Sequence, residues 1–220
     1  MQRFLFLTSF CLAAVCARAQ DSARFYTGFG VELYAQLGFS YFDFHGLNHR
    51  LEADGKTAAG GSATQVGFGA AYRFSQLVVG TEFSLLDGLG GDESFGGEYG
   101  FYVSTNVLHT RHWIFSPIVG ANVQYIRVDI PQATTATTFD DALGSANALR
   151  LYQTNSALDL GLSVKNTSWI PWKAYSPLLR IGYRVGLARD AWNVANATVT
   201  GAPSDRVGSF YVALCFGYGI

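Results

Sequence analysis

Residues 178–188 read LLRIGYRVGLA and set two arginines, Arg180 and Arg184, inside an otherwise apolar run. Leu179, Ile181, Tyr183, Val185 and Leu187 share one parity, while Leu178, Arg180, Gly182, Arg184 and Gly186 share the other. A period of two belongs to a strand, whose successive side chains point to opposite faces. One face here is large and apolar, the other small, polar and charged, and the medium that each face meets decides the fold.

The same alternation recurs seven more times. Phe29 to Tyr41 carries Val31, Leu33, Leu37 and Phe39 against Gly30, Glu32, Tyr34 and Gln36. TQVGFGAAYRF, LVVGTEFSLL, a less regular stretch from about Tyr99 to Leu108, SPIVGANVQYI, the segment around Leu158 to Lys165, and SFYVALCFGYGI repeat it. Between them the connections alternate: the long polar segment 42–63, a tight turn at Ser75-Gln76, the Gly-rich DGLGGDESFGG, the short HTRH, the long 130–148, the medium NTSWIPWKAY and the long 189–208. Alternating long and short connections between strands of about ten residues mark an all-β, antiparallel, eight-stranded up-and-down transmembrane β-barrel.

Composition agrees with this. Charged residues make up 14% of the chain, aromatics 15%, and there are 25 glycines, where a soluble domain carries about 25% charge. Residues 1–19 have Arg3, an apolar stretch and Ala17-Arg18-Ala19, which reads as a signal peptide followed by an outer-membrane β-barrel domain over 20–220. Past this leader there is no apolar run of about 20 residues, so no spanning helix is expected. With 15 basic and 16 acidic residues, nothing suggests nucleic acid as a partner. Cys11 and Cys16 fall in the leader, which leaves Cys215 without an intrachain partner.

The volumes decide which face is out. Eight strands enclose an interior just wide enough for side chains to fill, so the Leu, Val, Phe and Tyr parity faces lipid and the Gly-rich parity faces a narrow lumen. Arg180 and Arg184 then point inward, since an arginine facing lipid at mid-depth costs about 2–4 kcal/mol. Inside they need acids. A luminal charge network is expected with Glu82, Asp159, Arg180 and Arg184 at mid-height, Asp159 level with Arg180 to Gly182, and with Glu32, Arg73 and Lys165 closer to the end that carries the short turns.

GVELYAQLGFSY, VGFGAAYRF, VVGTEFSLL, SPIVGANVQYI, LLRIGYRVGLA and SFYVALCFGYGI together make residues 25–220 resemble the small eight-stranded outer-membrane barrels of the OmpA transmembrane-domain and OmpX type. The resemblance implies a polar interior filled by charge networks, residence in the outer membrane of a Gram-negative cell envelope, contact with outer-membrane lipid and lipopolysaccharide, and insertion by the barrel-assembly machinery. Ile220 and Cys215 depart from the usual terminal pattern, which Phe216 and Tyr218 otherwise keep.

Among residues of chemical interest, Asp43, His45 and His49 in DFHGLNH are weak metal-ligand candidates, because the sequence supplies no further ligand. No cofactor is expected. Trp113, Trp169, Trp172 and Tyr175 read as an aromatic girdle at one membrane interface, and the turn holding the last three is also a candidate docking surface for a periplasmic partner. The leading functional expectation is a monomeric, non-enzymatic barrel with a structural or surface-interaction role, any ligand being held by the long loops. A narrow, gated pore for ions or small solutes is the alternative. A lipid-modifying enzyme ranks third, because no convincing Ser-His pair falls within the barrel.

Overall fold

A computed structural model describes residues 29–89, 95–110, 112–130, 149–166, 175–194 and 200–219. The expected signal peptide, Trp169 and Trp172 lie outside these residues. Eight long strands run Phe29–Asp43 (β1), Ser62–Phe74 (β2), Leu77–Asp87 (β3), Phe95–Thr105 (β4), Trp113–Ile130 (β5), Leu149–Asn166 (β6), Tyr175–Gly186 (β7) and Gly208–Gly219 (β8). Each pairs antiparallel with its neighbour in sequence, and β8 closes on β1 through pairs such as Leu37↔Leu214 and Tyr41↔Phe210. The result is the closed eight-stranded antiparallel barrel that the alternation predicts, with no free edge on the main ladder.

The tight turn between β2 and β3 follows from Ser75, which adopts φ 58° and lets Phe74 face Leu77 across a two-residue loop. Positive φ at the first loop position matches the hairpin's twist. β5 and β6 are the longest strands, 18 residues each, and stay paired as far as Ile130↔Leu149. They project as a stem past β4, whose pairing with β5 stops at Gly96↔Ile126. Their reach is greater than the segments 116–126 and 158–165 that alternation marks.

The outer surface is an apolar belt. Leu33, Leu37, Phe39, Val66, Phe68, Leu85, Phe101, Val119, Leu160, Tyr183 and Phe216 are all exposed, Phe68 by 63% and Phe101 by 59%. Large apolar groups exposed around a whole circumference are stable only against lipid.

Inside, the chemistry changes with height. At mid-height the inward positions are small, polar and charged, and toward the short turns charged groups share the interior with Val78, Ile114, Ile118 and Leu178. Toward the long loops the same parity turns apolar: Phe42, Ala63, Leu86, Ile126, Val128 and Leu151 are buried and pack into one core. The segment 42–63, expected as a polar loop, contains a helix, His45–Ala53 (α1), that completes this core with Leu47 and Leu51. Phe44 precedes the helix, stacks on Phe42 at 6.0 Å and meets the edge of Trp192 at 5.5 Å. The expected all-polar lumen therefore gives way at this end to an apolar plug, because the chain folds a loop back over the barrel mouth and buries it there.

Candidate functional site: the charged lumen and its closures

Arg180 and Arg184 come from the inward parity of β7, two pleat repeats apart with Gly182 between them, so both guanidinium groups enter the lumen from the same wall. Arg180 donates to Glu82 on β3, Nη1 to Oε2 at 2.6 Å, and to the Tyr34 hydroxyl on β1 at 3.2 Å. Its guanidinium is also sandwiched by rings, 4.7 Å from the centroid of Tyr34 and 4.4 Å from that of Tyr102 on β4. Arg184 is 1% exposed. Its Nη1 lies 2.8 Å from Oε2 of Glu98, its Nη2 3.7 Å from Glu82 and its Nε 3.9 Å from Asp159, with the Tyr211 ring 4.1 Å from its central carbon. Two cations thus bridge three carboxylates over four strands.

Polar side chains satisfy the remaining acceptors. Gln124 donates to Glu98 at 2.9 Å and Tyr211 donates to Asp159 at 3.0 Å. Above them Gln65, Ser84, Gln36 and Ser40 form a hydrogen-bonded layer, and Asn155 donates to Gln124 and to the Val207 carbonyl. Buried charge survives only with this density of partners.

The structure brings Glu82, Asp159, Arg180 and Arg184 together, but not in the expected register. Asp159 stands directly opposite Arg184, and Gly161 opposite Gly182, so the ladder is offset from the expected Asp159–Arg180 level. Alternation alone sets which face a residue takes and does not report the register between two strands. Glu98, 2.8 Å from Arg184, falls just before the stretch from about Tyr99 that alternation marks. Extended back to Phe95, its inward set becomes Gly96, Glu98, Gly100, Tyr102 and Ser104, and the acid falls into place.

Tyrosines explain the inward glycines. Tyr34 faces Gly69, Tyr102 faces Gly80, and Tyr211 faces Gly182 across adjacent strands. A Cβ on Gly80 would stand 2.4 Å from the Tyr102 ring, and one on Gly182 would stand 2.7 Å from that of Tyr211. Each ring lies flat over a glycine and offers its other face to an arginine. The glycines make room for rings rather than for a water column.

At the short-turn end Arg73 reaches Glu32 at 3.6 Å, and both line a chamber together with Lys165 and the apolar side chains of Val78, Ile114, Ile118 and Leu178. Trp113 is 43% exposed near this end, and its backbone N–H donates to Thr110 Oγ1. Tyr175 begins β7 opposite Tyr218. Asp43 ends β1, and His45 and His49 lie one helical turn apart on α1, all exposed. Among the described residues no group of three or more metal-ligating side chains assembles.

At the long-loop end Asp205, which carries no sequence signal within its loop, closes the barrel mouth. Its carboxylate, 5% exposed, accepts from the backbone N–H groups of Gly46 and Leu47 at the start of α1 and from Trp192 Nε1 at 2.7 Å. One acid thus clasps the helix N-terminus and the core tryptophan together.

No protein-family profile matches the chain, and no curated protein matches it in sequence. Solved structures do match in fold. The attachment invasion locus protein Ail of Yersinia pestis aligns over 87% of this chain and 99% of its own, with a TM-score of 0.50 at 11% identity. Neisserial surface protein A aligns over 86% and 96% with a TM-score of 0.47 at 13% identity. The N-terminal β-barrel domain of Pseudomonas aeruginosa OprF aligns over 88% and 100% with a TM-score of 0.47 at 9% identity.

Proposed function

We propose that this chain, a transmembrane β-barrel of the outer membrane, is a closed scaffold that holds a surface structure outside the cell and conducts nothing. The observation that carries the reading is a double seal. At mid-height the lumen is filled by the Arg180 and Arg184 ion pairs and their tyrosine stacks, and toward the long loops by the apolar core under α1. A water-filled pore needs neither, and a dry apolar constriction opposes ions even where it is not fully occluded.

Short turns face the periplasm in barrels of this kind, so α1 and the β5–β6 stem stand on the outer face. The stem bears Arg127, Asp129 and Arg150 on its outward side, joined as an ion-pair ladder in which Arg150 lies 3.5 Å from Asp129, with Arg127 over the Phe95 ring at 5.2 Å. A strand-paired, ion-paired projection of this sort suits contact with another surface better than transport. The belt meets outer-membrane lipid and lipopolysaccharide, the terminal strand is handed to the barrel by the assembly machinery, and the working unit is a monomer with no cofactor. A narrow pore is the weaker reading, and lipid chemistry weaker still, because the histidines whose side chains are described, His45, His49 and His112, are exposed on the surface.

Single-channel recording of refolded protein in a planar bilayer tests this. Silence is expected, and reproducible discrete openings of the native chain would overturn it.

A further inference from the structure

The chamber at the short-turn end has a charge pattern that the structural reading leaves unused. It encloses about 50 Å³ of water-accessible space, room for roughly four water-sized atoms. Its floor is Arg180 and its mouth is lined by Glu32, Arg73 and Lys165, with Ser116 and Ser163 on the wall. Two of its three cations are committed: Arg73 to Glu32, and Arg180 through Nη1 to Glu82. Lys165 makes no direct ion pair among the described residues, Glu32 acting on it only across the mouth, and its side chain is partly enclosed on the inward parity of β6.

Arg180 is 5% exposed and its Nε has no accessible surface, so it lends the chamber floor charge rather than a donor. The lining carries one carboxylate against three cations, so it repels a metal ion and attracts a small anion. The Ser116 and Ser163 hydroxyls already donate to Asn106 Oδ1 and to the Ser116 carbonyl, so the Lys165 ammonium is the donor suited to a compact oxyanion.

We infer that this chamber is a binding site for a small free oxyanion of the periplasm, of phosphate or short-carboxylate type, with Lys165 as its principal charge partner. The strand wall keeps lipid headgroups out of it, and the mouth between Glu32 and Arg73 is open enough for entry, their side chains being 23% and 19% exposed.

The test titrates refolded full-length protein in detergent micelles with inorganic phosphate at constant ionic strength, following the thermal unfolding midpoint and binding heat. A saturable rise in midpoint is expected in the native chain. In Lys165→Gln the apparent affinity should fall roughly tenfold or more, the scale of one lost charge-assisted hydrogen bond, and Lys165→Arg should restore much of it. Lys165→Met, which keeps the aliphatic stem against the wall, is the second neutral variant should Gln disturb assembly, and heat-dependent gel migration reports whether each variant is folded. No saturable effect in the native chain, or an equal effect in the folded neutral variants, would overturn the assignment.

Discussion

Arg184 on β7 and Glu98 on β4 meet across the lumen with nitrogen 2.8 Å from oxygen, although 86 residues separate them and both are almost fully enclosed. Neither strand pairs with the other, so this contact joins opposite walls of the barrel. Cutting one side of it strands a buried charge, which costs about 3–5 kcal/mol. Glu98→Ala should lower unfolding stability in urea by that amount, more than Asp159→Ala, whose nearest guanidinium nitrogen is 3.9 Å away. The Glu98→Ala, Arg184→Ala double variant should lose much less than the two singles summed. Additive losses would show that the pair does not act as a unit.

The same cycle ranks the acids. Asp159 should couple to Arg184, its cross-strand neighbour, more strongly than to Arg180, which is held by Glu82. Four sets of urea curves decide this, and a larger Asp159–Arg180 coupling would restore the register expected from the sequence.

Gly80 carries the Tyr102 ring, which Arg180 pins from its other side. Gly80→Ala forces a Cβ into that ring and should destabilise by about 1–3 kcal/mol, as overpacking does. Tyr102→Ser removes the obstacle, so adding it to Gly80→Ala should cost less than it does in the native chain. Thermal midpoints of the four proteins give the answer.

The Asp205 clasp should hold the lid rather than the barrel. Asp205→Ala leaves three buried donors without their acceptor, of order 2 kcal/mol locally, and frees α1 from the plug. Trypsin should then cut after Arg50 or Lys56 faster than in the native protein, while heat-dependent gel migration stays that of a folded barrel. A barrel that melts as a whole would instead make Asp205 part of the global core.

The two seals should act in series. Arg184→Ala alone should stay silent in planar bilayers, because the apolar plug still closes the outer end. Arg184→Ala combined with Leu47→Asp should conduct, since a charge at a fully buried plug position expels α1 and admits water. Currents from Arg184→Ala alone would mean that the plug does not seal.

Much of this molecule is written in parity. Leu179, Ile181 and Tyr183 had to face lipid and Arg180 and Arg184 the lumen, because in a strand the choice for one residue settles it for all its neighbours. Eight such segments with alternating connections leave few arrangements other than a closed membrane barrel, and the inward direction of Glu32, Arg73, Glu82, Asp159 and Lys165 follows with no knowledge of contacts. What parity cannot carry is height and partnership. Whether Arg184 meets Asp159 or Glu98 depends on strand stagger and on rotamers crossing a lumen from strands that never pair. The apolar plug and the Asp205 clasp depend on where the long connections fold back, and Leu47, Leu51, Trp192 and Asp205 read in sequence as parts of polar loops. Local alternation determined the barrel because each strand's two faces meet different media. The closure of its lumen was decided in three dimensions, because the groups that fill it come together only once the ring of strands is complete.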